Sequence, residues 1–231
     1  MAKISNTKPS IHDKQVSNES CKARNFKSHW NKVYGSNEID KLGWYEYSPE
    51  PSLSLINKCK LDNNAAILNV GAGATLLVDE LLNNGYKNII ANDLSSTALD
   101  KLRMRLGFEK SSSVQWVIDD LTNPSELNKL KPVDLWHDRA VLHFFDDELS
   151  QHTYFSLLKK LVKQNGYVII ATFNLDGATM CSGLTVHRFD ENMLQEKLGN
   201  GFELIEAFDY IYTMPSGDTR KYVYTLFQKK C

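Results

Sequence analysis

The segment that most constrains this chain is AAILNVGAGAT, residues 65–75, where an apolar run breaks onto two glycines. Ala65 to Val70 is continuously apolar and bounded by a turn, the pattern of a strand buried on both faces and therefore of a parallel sheet covered by helices. Leu76 to Asn84 then reads as a helix. Gly71 and Gly73 carry no Cβ, so the turn backbone can pass close to a ligand. The helix behind it offers free N–H groups and the positive end of its dipole. Two glycines alone also serve a plain tight turn.

The same rhythm continues downstream. Asn88 to Asn92 reads as a second strand and Ser96 to Leu106 as a helix, with Ser95 or Ser96 as its N-cap. Val114 to Ile118 is a third strand, Val133 to Trp136 a short fourth, Asp147 to Lys163 a long helix, and Gly166 to Phe173 a fifth strand. Strands alternating with helices imply right-handed crossovers and a doubly wound α/β sheet. The C-terminus departs from this. After a short helix, Glu191 to Leu198, the extended runs Phe202 to Met214 and Arg220 to Gln228 flank the turn Pro215-Ser216-Gly217-Asp218, which makes an antiparallel hairpin. Ahead of the core, Ser20 to Tyr34 has helical spacing through Ala23, Phe26, Trp30 and Val33, and Leu53 to Lys60 is a short helix. The expected organisation is a flexible tail over 1–19, a helical and aromatic segment over 20–60, and the ligand-binding domain over 61–231.

Composition narrows the partners. In 231 residues, 27 Lys and Arg stand against 28 Asp and Glu, and the net charge of −1 supplies no bulk attraction to nucleic acid or anionic membrane. No run approaches the roughly 18 apolar residues of a membrane span, and the N-terminus has no secretory apolar region. Cys21, Cys59, Cys181 and Cys231 form no CxxC pair, so neither a metal site nor a disulfide framework is expected, and a reducing cytoplasm fits.

Asp93 lies at the end of the second strand, twenty residues beyond Gly73, where a carboxylate can accept both hydroxyls of an adenosine ribose. At the end of the third strand Asp120 can accept from an adenine amine, with Leu121 against the ring; Asp119 competes for that role. Each acid also has a plain capping role open to it. A nicotinamide-binding turn would use the same acid, but its GxGxxG fingerprint has glycine where this chain has Leu76. The C-terminal hairpin also disfavours a plain dinucleotide fold.

With these residues assembled, the sequence resembles the class I S-adenosylmethionine-dependent methyltransferases over roughly residues 30–230. More narrowly, it is similar to poorly characterised bacterial members related to eukaryotic lysine methyltransferases. The segments carrying the likeness are HWNKVYG (29–35), GWYEY (43–47), ILNVGAGAT (67–75), DLWHDRAVLHFF (134–145) and CSGLTVHRFD (181–190). The resemblance implies a Rossmann-like seven-stranded sheet, mostly parallel, whose hairpin supplies the antiparallel seventh strand beside the sixth. It implies S-adenosylmethionine as cofactor, contacted by Gly71, Ala72, Gly73, Thr75, Asp93, Leu94, Asp120, Leu121 and His137. The group usually has Asp where this chain has Asn69, which weakens the expected attraction for the cofactor's amino group.

His137, Asp138 and Arg139 at the end of the fourth strand suggest a catalytic, substrate-facing cluster. His137 would orient substrate or take a proton, and Arg139 would grip a carboxylate or pair with Asp138. His143, beside Phe144 and Phe145, reads as structural. Trp30, Tyr34, Trp44 and Tyr45 are candidates for a lid over the cofactor that excludes water and faces the sulfonium. Cys181 is a pocket-lining candidate without nucleophilic character. The acceptor implied is a nitrogen or oxygen of a small metabolite or protein side chain. Nucleic acid is disfavoured, because no basic stripe appears and the fourth strand ends in WHDR, not an Asp/Asn-Pro-Pro-aromatic motif. A cofactor-binding module without catalysis and an NAD-dependent oxidoreductase are the alternatives.

Overall fold

The computed structural model describes residues 26–231. The tail expected over 1–19, and the start of the helix expected from Ser20, lie outside the described residues. In chain order the elements are helix α1 (26–36), α2 (Glu50–Lys58), β1 (Ala66–Val70), α3 (Leu77–Asn83), β2 (Asn88–Asp93), α4 (Ser96–Ser111), β3 (Val114–Ile118) and β4 (Val133–Arg139). They continue with α5 (Glu148–Leu161), β5 (Val162–Phe173), the ribbon strands β6 (Met180–Cys181) and β7 (Leu184–Thr185), α6 (Glu191–Leu198), β8 (Phe202–Thr213) and β9 (Thr219–Lys229).

The main sheet has seven strands in the order β3-β2-β1-β4-β5-β9-β8. The first five are parallel, and β9 is antiparallel to both β5 and β8. This is the Rossmann-like sheet with a C-terminal hairpin expected from sequence. A six-stranded parallel dinucleotide fold has no such inserted antiparallel strand. Side chains alternate across each strand. On β1, Ile67 packs with Leu55, Ile56, Leu81 and Leu102 under α2, α3 and α4, whereas Leu68 and Val70 pack with Tyr154, Leu158 and Leu194 under α5 and α6. Every residue of β1 is buried, the polar Asn69 included.

Several boundaries move for identifiable reasons. α2 begins at Glu50, earlier than expected, because Pro51 sits in its first turn, where a missing N–H costs nothing. α4 runs past Leu106 to Ser111 across Gly107, which at φ 72° turns the chain between two helical pieces. β4 extends through His137-Asp138-Arg139, a polar run whose backbone is claimed by partners on both sides, Asn69 and Val70 of β1 and Ile169, Ile170 and Ala171 of β5. The ribbon β6–β7 was not expected, since two residues per strand leave no pattern to see.

Candidate active site

A pocket of about 600 Å³ opens at the C-terminal ends of β1, β2, β3 and β4, a size that holds small-molecule ligands. Gly71 lines it and Gly73 lies just behind, at φ 57° and 56°. A Cβ on Gly71 would collide with Val141, and one on Gly73 with the Tyr34 hydroxyl, so the close approach that the glycines permit is real on both sides of the turn. Ala72 is buried, and its N–H donates to the Asn92 carbonyl, which fastens the turn to β2.

Asp93 closes the end of β2. One carboxylate oxygen accepts from the Gly73 N–H and the other from the Ser95 N–H, each at 2.8 Å. Burial pushes its pKa up to about 6. The two carboxylates after β3 behave differently. Asp119 accepts from the Ser125 N–H, the Ser125 hydroxyl and the Leu127 N–H, so both of its oxygens hold the following loop. Asp120 uses only Oδ1, on the N–H and hydroxyl of Thr122. Its Oδ2 accepts no hydrogen bond among the described residues and belongs to the pocket wall with Leu94 and Leu121.

On β4 the alternation of side chains divides the expected cluster. His137 and Arg139 face α2 and the pocket, whereas Asp138 points to the opposite face. There its carboxylate accepts from the Tyr154 hydroxyl and from the N–H groups of Val141 and Leu142. Asp138 is fully buried, outside the pocket wall, and does not pair with Arg139. Arg139 pairs instead with Glu46 at 3.0 Å, donates to the Tyr224 hydroxyl and the Trp44 carbonyl, and lies over the rings of Tyr212 and Tyr222 at 5.1 and 5.2 Å. Nε and Nη1 donate hydrogen bonds and Nη2 meets Glu46 as an ion pair, so Arg139 ties the 44–46 segment to the sheet while remaining in the pocket wall.

His137 and Asn69 are register partners on β4 and β1, which brings their side chains together. His137 Nδ1 lies 2.9 Å from Asn69 Oδ1, and Nε2 lies 2.9 Å from Ser52 Oγ on α2. Burial, reinforced by the Arg139 charge, lowers the pKa of His137 to about 3, so the ring is neutral. His143 lies outside the pocket wall and stacks on Phe173 at 4.4 Å; burial lowers its pKa to about 3 as well. Cys181 reaches the pocket, but burial raises its thiol to about 11, which removes thiolate reactivity at neutral pH.

The aromatic residues converge over the turn. Trp44 Nε1–H donates to the Tyr34 hydroxyl at 3.0 Å, and Trp30 meets Trp44 and Phe144 edge-on at 5.5 and 5.0 Å. Tyr45 packs beneath them against a small cluster that includes Leu42 and Ala74, away from the pocket wall. Asn31 fixes α1 in place: its Oδ1 accepts from the Ser95 hydroxyl and the Thr97 N–H at the start of α4. Of the residues singled out from sequence, Gly71, Thr75, Asp93, Leu94, Asp120, Leu121, His137, Arg139, Trp30, Tyr34 and Trp44 share this one pocket wall; Ala72, Gly73 and Asp138 lie behind it. Ser52 and Glu46 belong to the same wall and were not foreseen. Glu46 lies inside the GWYEY block, and Ser52 carries no local signal.

A doubly wound sheet with β9 slotted antiparallel between β5 and β8, and with this pocket at its strand ends, defines the class I methyltransferase fold. Residues 68–170 match the methyltransferase domain family, and the chain is similar in fold to class I S-adenosylmethionine-dependent methyltransferases. It is 27% identical over 142 residues to EEF1A lysine methyltransferase 2 of Danio rerio, a match spanning 59% of this chain and 60% of that protein. Two solved structures share the fold. One is an S-adenosylmethionine-dependent methyltransferase from Anabaena variabilis, with TM-score 0.72 and 12% identity over 90% of this chain and 95% of that one. The other is the 1,6-didemethyltoxoflavin N1-methyltransferase of Burkholderia thailandensis, with TM-score 0.65 and 18% identity over 99% and 94%. Among the described residues no helix is long and apolar enough to cross a membrane, and no group of His, Cys, Asp and Glu is placed to hold a metal ion.

Proposed function

We propose that this chain transfers the methyl group of S-adenosylmethionine to a nitrogen or oxygen of a small metabolite or a protein side chain, and that nitrogen is the acceptor its site favours. The observation that carries the reading is Asp93, a buried carboxylate bonded to the Gly73 N–H of the turn and standing in the pocket wall. The residues fit the cofactor. Asp93 would accept the ribose hydroxyls, the open Oδ2 of Asp120 the adenine amine with Leu121 against the ring, and the Gly71–Gly73 backbone would pass beneath the ribose and methionine portions. Trp30, Tyr34 and Trp44 would cover it and exclude water.

S-adenosylmethionine supplies a methyl group already activated on a sulfonium, so the protein has mainly to position the acceptor. His137 is neutral with both ring nitrogens engaged, which makes it an orienting group and not a strong base. The charged groups of the wall are Glu46, Asp93, Asp119, Asp120, Asp146 and Asp147 against Arg139, a balance that draws a cationic amine inward. That amine gives a proton to solvent before its lone pair takes the methyl group. The names of the Danio rerio and Burkholderia thailandensis relatives, a lysine methyltransferase and an N1-methyltransferase, also support nitrogen. A cytoplasmic setting belongs to this reading, supported by the free thiols Cys59, Cys181 and Cys231.

Calorimetric titration tests the proposal. S-adenosylhomocysteine binds and NADH does not, and Asp93→Ala weakens S-adenosylhomocysteine about a hundredfold or more, as expected for loss of two hydrogen bonds to a charged acceptor. Mass analysis of candidate amines incubated with the methyl donor then identifies the acceptor by a gain of one methyl group. Binding of NADH, or of neither ligand, overturns the reading; cofactor binding without methyl transfer to any acceptor leaves a module that binds and does not catalyse.

A further inference from the structure

The far end of the pocket contains a hydrogen-bond chain whose direction is fixed by chemistry. Asn69 Oδ1 can only accept, so the bond at 2.9 Å requires the proton of His137 to sit on Nδ1. Nε2 then carries a lone pair, and the Ser52 hydroxyl must donate to it. A hydroxyl has a single proton, so once that proton is given to His137 the Ser52 oxygen presents lone pairs alone. Ser52 stands in the pocket wall with Asn69 and His137. The guanidinium nearby is turned toward Glu46, the Trp44 carbonyl and the Tyr224 hydroxyl.

The orientation of the cofactor follows from the sheet order β3-β2-β1-β4. Asp120 follows β3 and Asp93 ends β2, so an adenosine held by these carboxylates directs the amino-acid portion across β1 toward β4. Ser52 lies there, above His137. The α-ammonium at that end carries N–H donors and needs acceptors, yet Asn69 is uncharged and one lone pair of its Oδ1 is already given to His137. We propose that Ser52 receives an N–H of the cofactor's α-ammonium, with its oxygen held acceptor-only by the Asn69–His137 pair. Ser52 is then a binding residue and His137 a positioning residue. Burial keeps His137 neutral, which preserves the direction of the chain.

The inference rests on the S-adenosylmethionine reading, and its test separates the two. The full chain is titrated with S-adenosylhomocysteine and with 5′-methylthioadenosine, which keeps the adenosine and thioether but lacks the amino-acid end. Ser52→Ala weakens S-adenosylhomocysteine about tenfold or more, in the range of a hydrogen bond to a charged group, and leaves 5′-methylthioadenosine within about twofold of wild type. Ser52→Thr, which keeps the hydroxyl, retains most of the affinity for S-adenosylhomocysteine. Unchanged S-adenosylhomocysteine binding by Ser52→Ala, or equal weakening of both ligands, overturns the role given to Ser52 while the cofactor reading stands. If the wild-type chain binds no S-adenosylhomocysteine, the cofactor reading fails and takes this inference with it.

Discussion

The two halves of the pocket wall are built by different means. On the β2–β3 side, most of the polar contacts are local: Asp93 bonds Ser95 two residues on, Asp120 bonds Thr122, and Asp119 bonds Ser125 and Leu127. On the β4 side the contacts cross long stretches of chain. His137 reaches Ser52 over 85 residues, and Arg139 reaches Trp44 over 95 and Tyr224 over 85. The β2–β3 side is therefore shaped by its own strand-end turns. The β4 side is complete only with α2 and the 43–47 segment docked on the sheet.

The strongest way to break this comparison is Arg139→Ala. Arg139 and Glu46 retain only 7% and 5% of their side-chain exposure, so removing the guanidinium leaves Glu46 as a buried, unpaired carboxyl whose pKa burial already raises. The expected cost is about 3–5 kcal/mol, a fall of roughly 10 °C in thermal midpoint for a chain of this size. Because Arg139 also holds the Trp44 carbonyl, Trp44 becomes more accessible to a soluble fluorescence quencher. A midpoint within about 2 °C of wild type, too small a change for a broken buried ion pair, would show that the β4 side is not held together by this pair.

A smaller effect sharpens the adenosine side. Burial raises Asp93 to about 6 in the free chain, and ribose hydroxyls donating to it favour the ionised form. The sign follows from that. Above pH 6 the carboxylate is already present and affinity for S-adenosylhomocysteine is level; below pH 6 a proton must leave on binding, and affinity falls by up to about tenfold per pH unit. Titrations at pH 7 and pH 5 differ about tenfold in wild type, and Asp93→Asn removes the difference along with most of the binding. Equal affinity at the two values would mean that Asp93 does not receive the ribose.

This division also explains what could be read in advance. The sheet, its hairpin, Asp93 and the glycine turn were legible because each depends on periodicity or on neighbours a few residues away. Asp119 and Asp120 were equivalent in sequence; only the loop that consumes both oxygens of Asp119 separates them. Asp138 and Arg139 were grouped because they are adjacent, yet once β4 continues through them, strand alternation sends them to opposite faces. The continuation was hidden because HDR is polar, and its backbone partners lie on β1 and β5. Ser52 had no local signal, and Glu46 had only its place in the GWYEY block, since the meaning of both lies in a partner that only the folded sheet supplies.

The smallest and most local measurement bears on the long-range side. Two-bond nitrogen–proton correlation of the His137 ring shows a neutral imidazole with its proton on Nδ1, unchanged from pH 8 down to about 5, because burial and the Arg139 charge hold its pKa at about 3. Titration of the ring between pH 5 and 7 would mean that the pocket end is wetter than its packing implies. A neutral ring with the proton on Nε2 would have a sharper consequence. His137 would then donate to Ser52, the Ser52 hydroxyl would turn its own proton toward the pocket, and Asn69 would have to face the ring through its amide nitrogen. That arrangement turns a donor toward the pocket where the Asn69–His137–Ser52 chain otherwise presents lone pairs, so the tautomer of a single buried ring decides whether the β4 side can take the ammonium proposed for it.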